Sequence, residues 1–130
     1  MSSILLVDTA APSVQIAVAR DQEISQEDSW SADRRLSVVL SKRISELLER
    51  QQLGLSDLAK IIVHAGPGGF TTLRIGVTTA NALGYALGIP VVGVMGPTTS
   101  LHDLFKRGEE ISISTGIPVI PVYDRPPHIT

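Results

Sequence analysis

The sequence of 130 residues has no cysteine, few aromatic residues and few charges. Without cysteine, the chain has no disulfide, thiolate zinc site, iron–sulfur cluster or cysteine nucleophile. Aromatic residues make up 4% of the chain, which argues against a stacking platform for single-stranded nucleic acid. Charged residues make up 18%, and 11 basic against 13 acidic residues give a net charge of −2, which disfavours a general polyanion binder.

Apolar residues are plentiful by comparison. They account for 43% of the chain, and the mean hydropathy is +0.22. A disordered chain combines low hydrophobicity with high net charge, so that class is excluded. The length matches one domain with one hydrophobic core.

The N-terminal segment lacks a basic region, and its apolar run stops at Asp8, so no targeting signal is expected and a cytoplasmic location is predicted. The stretch from Ile75 to Ser100 carries no charge and is long enough to cross a bilayer. Gly88 and Pro90 interrupt it, so a buried helix followed by a buried strand is the better interpretation, and no membrane contact is expected.

The order of apolar patterns predicts an α/β fold with a mixed sheet flanked by helices. Predicted strands cover Ser3–Val7, Val14–Ala19, Glu23–Trp30, Ile61–Val63 and Pro90–Val94, and predicted helices cover Arg34–Gln52, Thr71–Leu87 and the region from Ser100 to Lys106. Asp21 and Gln22 are predicted to form a hairpin turn between the second and third strands. Ser31 or Asp33 is the predicted cap of the first helix, whose apolar residues form a single stripe. We expect one lobe over residues 1–108 and an irregular tail over 109–130.

A glycine-rich loop, Gly66–Gly69, stands between a predicted strand and a predicted helix. Free N–H groups at a helix start suit an anion, so Gly68, Gly69 and Thr71 are candidate phosphate contacts. The loop has no Walker lysine, however, and its spacing differs from that motif. A tight turn capped by Thr71 or Thr72 is therefore the favoured interpretation.

Small residues recur every four positions along the following helix, at Gly76, Ala80, Gly84 and Gly88. They lie on one side of the helix, and each interior glycine costs about 1 kcal/mol relative to alanine. This pattern predicts a close backbone approach on that side. The helix is apolar nearly all round, so we expect the sheet to cover one side and the Arg34–Gln52 helix, a second chain or both to cover the rest.

Few residues suggest chemistry. Asp8, at the end of the first strand, is either a residue that orients a metal ion or water or a turn-forming side chain. His64, His102 and His128 are far apart, and no metal-ligand spacing occurs. No catalytic residue, cofactor or metal is expected.

Three segments match one pattern: Ile4–Ala10 (ILLVDTA), Ala65–Gly76 (AGPGGFTTLRIG) and Gly88–Val94 (GIPVVGV). Together they resemble the TsaB (YeaZ) family. The family pattern is an I-D-T-A start, a G-P-G-S-F-T-G-L-R-I-G loop and helix, and a P-x-x-G-V-S strand end. The long glycine motif is the specific part, and the resemblance covers Ser3 to Val94.

The resemblance implies a ribonuclease-H-like lobe of the actin-like ATPase (ASKHA) fold. It also implies a role in making threonylcarbamoyladenosine at position 37 of tRNA, as a non-catalytic scaffold and activator of a TsaD-like catalytic subunit. A TsaE-like ATPase would be recruited, and tRNA would be contacted indirectly through the complex. The small-residue helix face is, separately, a candidate surface for a homodimer. In the family, two helices from each protein form the contact. The corresponding interface residues here would be Leu36, Leu40, Ile44, Leu47, Leu73, Gly76, Val77, Ala80 and Gly84.

The chain departs from the family pattern. Gly69 stands where serine is usual, Thr72 where glycine is usual, and Met95–Pro97 replaces a serine-containing turn. About 36 residues follow Val94, too few for a second lobe, yet Pro121–Pro127 resembles the tail of full-length members. The expectation is a short form with the second lobe deleted internally. The alternatives are a small nucleotide-binding phosphotransferase or peptidase-like enzyme using Asp8 and the Gly66–Gly69 loop, and a self-associating module.

Overall fold

A five-stranded mixed sheet forms the centre of the protein in a computed structural model, which describes residues 3–111 and 118–123. Its elements are β1 (Ser3–Asp8), β2 (Ser13–Arg20), β3 (Glu23–Ser31), α1 (Leu36–Arg50), a 3₁₀ turn (Leu55–Asp57), β4 (Leu58–Gly66), α2 (Phe70–Leu87), β5 (Val91–Met95) and α3 (Leu101–Glu109). The strand order is β3-β2-β1-β4-β5. The β1–β2 and β2–β3 pairs are antiparallel, whereas β1–β4 and β4–β5 are parallel. The predicted α/β class with a mixed sheet is confirmed.

The hairpin between β2 and β3 turns at the two residues that the sequence indicated. Asp21 and Gln22 have φ values of 53° and 72°. A two-residue turn with positive φ at both positions matches the right-handed twist of the flanking strands. β3 is then one of the two edge strands of the sheet, and its residues alternate between exposed and half-buried.

Helices cover both faces of the sheet. Alternate side chains of a strand point to opposite faces, so Leu5 and Val7 of β1 belong to the cluster that contacts α1 and α2. Leu6, between them, belongs to the cluster that contacts α3. Gly108 lets α3 lie close to the sheet, because a Cβ there would be 2.5 Å from the Ile62 side chain. The sheet is therefore buried on both faces, which explains the continuous apolar runs of β1 and β4.

The N-terminal caps of α1 and α2 differ from those predicted. Arg35 occupies the N-cap position of α1 without a side-chain cap, and Asp33 instead accepts a hydrogen bond from the Arg35 N–H at 2.8 Å. Gly69 occupies the N-cap position of α2, also without a side-chain cap. The expectation that Thr71 or Thr72 caps this helix is therefore wrong, because the extended glycine before Phe70 starts the helix earlier.

The long uncharged stretch is the second half of α2 followed by β5. Gly88 ends the helix in the left-handed conformation, with φ 67°. Within residues 3–111 and 118–123, no helix is long and apolar enough to span a bilayer. Of the predicted tail, only 118–123 is among the described residues beyond Ile111, so residues 124–127 of the Pro121–Pro127 motif lie outside them.

Candidate functional site

Three parallel strands end at the same edge of the sheet, and a histidine joins them. His64 on β4 places Nδ1 3.1 Å from Asp8 Oδ1 at the end of β1, and its Nε2 2.7 Å from the carbonyl oxygen of Gly96, just after β5. The same Asp8 oxygen accepts a hydrogen bond from the Ala10 N–H at 3.1 Å. His64 therefore cross-links the three strand ends.

The Asp8–His64 pair holds a proton. A carbonyl oxygen only accepts hydrogen bonds, so Nε2 carries a hydrogen towards Gly96. The pKa of His64 is raised, mainly by the hydrogen bond to Asp8. The negative charge of Asp8 and the hydrogen bond to Gly96 raise this pKa further, whereas burial and the positive charge of Arg107 lower it. With both ring nitrogens engaged, the geometry favours a structural cross-link over a general base.

The glycine loop is packed against the chain's own backbone. A Cβ on Gly68 would be 2.6 Å from the Ala10 carbonyl oxygen, and one on Gly66 would overlap the carbonyl oxygen of Val122. Gly69 is exposed at the N-cap, and Thr71 is exposed on the first turn of α2. This packing favours a tight turn. Asp8 and Gly68 lie on either side of Ala10, whereas Thr71 is on the outside of the helix.

The small-residue side of α2 is buried within the chain. A Cβ on Gly76 would overlap the Thr9 side chain, and one on Gly84 would overlap Val91. Ala80, between them, is fully buried. The close approach predicted from the sequence is therefore made to the chain's own β5 and to the residue that follows β1.

All nine predicted interface residues lie in the buried interior; they are Leu36, Leu40, Ile44, Leu47, Leu73, Gly76, Val77, Ala80 and Gly84. They hold α1 and α2 on the sheet. Any partner of the two helices would contact their opposite sides, whose residues the sequence analysis did not single out.

The exposed residues of α2 form a stripe that is nearly free of charge. The stripe, called here the outer face of α2, consists of Thr71, Arg74, Thr78, Ala82, Tyr85 and Ala86. Each of them is three or four residues from another member, which places them on one side of the helix. Tyr85 is 92% exposed, and Arg74 is the only charged residue of the stripe. The neighbouring helix α1 exposes Val38, which is 66% accessible. The sequence signal that could have identified this stripe is the scarcity of charged residues along α2.

A second feature that sequence reasoning missed is a short extended segment along α2. The segment, Pro118–Tyr123, is called here the strap. The Asn81 side chain donates to the Val119 carbonyl oxygen at 2.8 Å and accepts from the Val119 N–H at 2.9 Å. The Val122 N–H donates to the carbonyl oxygen of Ala65 at 2.7 Å. Asn81, a polar residue in an apolar helix, was the available signal.

An open groove of about 450 Å³ lies elsewhere, between the β2–β3 hairpin and the start of α3. Its polar lining includes Gln15, Glu27 and His102. None of the predicted site residues lines it, and among the described residues no three His, Asp or Glu side chains are grouped to hold a metal ion.

Comparison with known proteins gives a consistent family assignment. The sequence model of the family described as TsaD, tRNA N6-adenosine threonylcarbamoyltransferase, matches residues 30–102, more than half of the chain. The Bacillus subtilis tRNA threonylcarbamoyladenosine biosynthesis protein TsaB is 32% identical over 94% of this chain and 50% of its own length. The chain spans about half the length of the first curated relatives that it matches.

Solved structures agree with this family assignment. YeaZ from Pseudomonas aeruginosa is similar with a TM-score of 0.67 and 27% identity, over 73% of this chain and 44% of the YeaZ chain. RuvC from T. thermophilus, 9% identical with a TM-score of 0.51 over 73% of this chain and 65% of its own, shares the fold alone. The sheet is thus of the ribonuclease-H-like type, and the chain belongs to the TsaB (YeaZ) family.

Proposed function

We propose that this chain is a non-catalytic scaffold and activator in the synthesis of tRNA threonylcarbamoyladenosine, and that it docks a TsaD-like catalytic subunit through α1 and α2. The family assignment supports the pathway, because the Bacillus relative is named for that biosynthesis. A TsaE-like ATPase and tRNA then join through the complex, and a homodimer competes for the same helices.

The observation that carries the docking proposal is the outer face of α2. An exposed helix normally carries charged residues on its solvent side. Here one arginine is the only charge among six exposed positions, and Tyr85 projects into solvent. Tyrosine and arginine are the residue types enriched at the centres of protein interfaces. The outer face therefore has the composition of a docking surface.

The strand ends support a scaffold more than an enzyme. Asp8 and His64, the nearest approach to a catalytic pair, are bonded to each other and to backbone groups. The glycine loop contacts Ala10 and Val122 of the same chain. These groups stabilise the edge of the sheet on which α2 begins, so their role in this proposal is to fix the docking helix.

The test places a charge on the outer face without touching the core. Ala82→Arg adds a bulky cation in the middle of the stripe, and Ser56→Arg adds the same charge to an exposed position on the 3₁₀ turn. We expect Ala82→Arg to weaken binding of the TsaD-like subunit at least about tenfold, because an unpaired charge in an interface must be desolvated. Ser56→Arg should bind normally.

A second readout is tRNA threonylcarbamoylation by the TsaD-like subunit with and without this chain. The wild-type chain should stimulate the reaction, and Ala82→Arg should stimulate it only at higher concentration. Unchanged binding by a folded Ala82→Arg protein would overturn the docking surface. Turnover by the chain alone, without the second subunit, would overturn the non-catalytic role.

A further inference from the structure

The strap has two different sides. Val119 points inward, because a Cβ on Gly93 would be 2.6 Å from its Cγ1. Tyr123 also points inward, and its ring centroid is 4.5 Å from that of Phe70. Between them Ile120 is 77% exposed and Val122 is 40% exposed. An extended segment alternates its side chains in this way, so the strap presents two aliphatic residues to solvent.

The strap lies directly beside the outer face of α2. Asn81, which binds it, is one helical turn before Tyr85 on the same flank. At the other end, Phe70 contacts Tyr123, and the guanidinium of Arg74 stands 5.6 Å from the centre of the Phe70 ring. The exposed aliphatic residues of the strap are therefore continuous with the near-uncharged stripe of the helix.

The attachment depends on main-chain groups of the strap. Asn81 binds both the N–H and the C=O of Val119, and Ala65 accepts from Val122. Two glycines leave the space that the strap fills, since Gly93 faces Val119 and Gly66 faces the Val122 carbonyl. The strap is thus held like an additional edge strand through its main chain, and the side chains of Ile120 and Val122 remain exposed.

We propose that the strap is a third element of the docking surface, and that Ile120 and Val122 contact the same catalytic subunit that binds the outer face of α2. This inference rests on the proposed function. A complementary partner surface would be apolar where it meets α2 and the strap. It would place a carboxylate opposite Arg74, the one charged residue on this side of α2. Ile120 and Val122 extend the weakly charged outer face of α2, and contiguous exposed apolar surface marks interaction sites.

The direct test is Ile120→Glu, with Leu55→Glu as the matched control. Leu55 is also an exposed aliphatic residue, 38% accessible, but it lies on the 3₁₀ turn rather than beside α2. We expect Ile120→Glu to weaken binding of the TsaD-like subunit about tenfold, and Leu55→Glu to bind as wild type. Both variants place the charge in solvent, so both should remain folded.

An indirect test loosens the strap without changing its exposed residues. Asn81→Leu removes both hydrogen bonds to Val119. Because the chain has no cysteine, Val122→Cys takes a spin label that reports strap mobility in a separate sample, and affinity is measured on the unlabelled Asn81→Leu protein. We expect Asn81→Leu to raise the mobility of the label and to weaken partner binding severalfold.

The outcomes separate this inference from the proposed function. If Ala82→Arg weakens binding and Ile120→Glu does not, the strap is outside the interface and the inference is wrong while the docking proposal stands. If neither change has an effect on folded protein, both fail. If Asn81→Leu frees the label and leaves affinity unchanged, the strap does not contribute to docking.

Discussion

Gly76 on α2 and Thr9, the residue after β1, meet so closely that a Cβ on the glycine would overlap the threonine hydroxyl. The Thr9 side chain is fully buried, and its hydroxyl has no hydrogen-bond partner among the described residues. The contact brings the second turn of α2 down onto the sheet edge that carries Asp8. It accounts for a glycine inside a helix, where alanine has the higher intrinsic propensity.

Gly76→Ala should lower the free energy of unfolding by about 1–3 kcal/mol, because overpacking outweighs the gain of about 1 kcal/mol in helix propensity. Thr9→Ala, which removes the opposing atoms, should have a smaller effect, since its buried hydroxyl forms no hydrogen bond. Urea unfolding of the single and double variants measures the coupling. Additive effects in the double variant would contradict the close contact.

Ala80 and Ala82 give a matched pair on one helix. Ala80 is fully buried and Ala82 is exposed. Ala80→Leu should destabilise the fold by about 1–3 kcal/mol, because the core has no room for the added methylenes. Ala82→Leu should change stability by less than about 0.5 kcal/mol. Thermal unfolding distinguishes the two, and equal effects would mean that the helix is rotated from the position described.

His64 should make stability depend on pH in a definite direction. Its pKa in the folded protein is raised, chiefly by the hydrogen bond to Asp8, above the ordinary value of about 6.5. The folded state therefore holds this proton more tightly than the unfolded state does. The resulting stabilisation is complete below pH 6.5 and is lost as the pH rises through the folded pKa.

His64→Gln isolates this contribution, because glutamine keeps a donor for the Gly96 carbonyl but does not titrate. The difference in unfolding free energy between wild type and His64→Gln should shrink as the pH rises through that window. A difference that is constant with pH would show that His64 does not hold an extra proton. Comparing the two proteins at each pH cancels every contribution that they share.

Trp30, the single tryptophan, reports on the attachment of α1 to β3. The Arg43 guanidinium lies 4.4 Å from the centre of its ring and 3.2 Å from Asp28 Oδ2. Arg43→Met should cost about 0.5–1.5 kcal/mol and shift the tryptophan fluorescence, since it removes the stacked cation and the ion pair. Arg43→Lys should retain part of both. Unchanged fluorescence in Arg43→Met would contradict the stacking.

The sequence predicted the elements well because their apolar patterns are strong. The β2–β3 turn at Asp21 and the helical stripe of α1 both follow from local chemistry, and the structure contains both. The long motif from Ala65 to Gly76 carried the family, which the comparisons support. Local signals of this kind do not depend on which parts of the chain meet in space.

The contacts of the small-residue side of α2 could not be predicted in the same way. Small residues at Gly76 and Gly84 indicate close approach, but not to what, and the structure shows Thr9 and Val91 there. The strap was missed for a related reason. Asn81 and Val119 are 38 residues apart, and a side-chain amide that binds a main-chain peptide group leaves no mark on the residue it binds.

The contact between Asn81 and Val119 leaves the strap sequence open to evolutionary change. Because Asn81 binds only the peptide group of Val119, the attachment is indifferent to what the neighbouring outward position carries. Residue 120 is therefore free to vary without detaching the segment. In the proposed docking surface, single substitutions at this position would change partner affinity while the core beneath it stays the same.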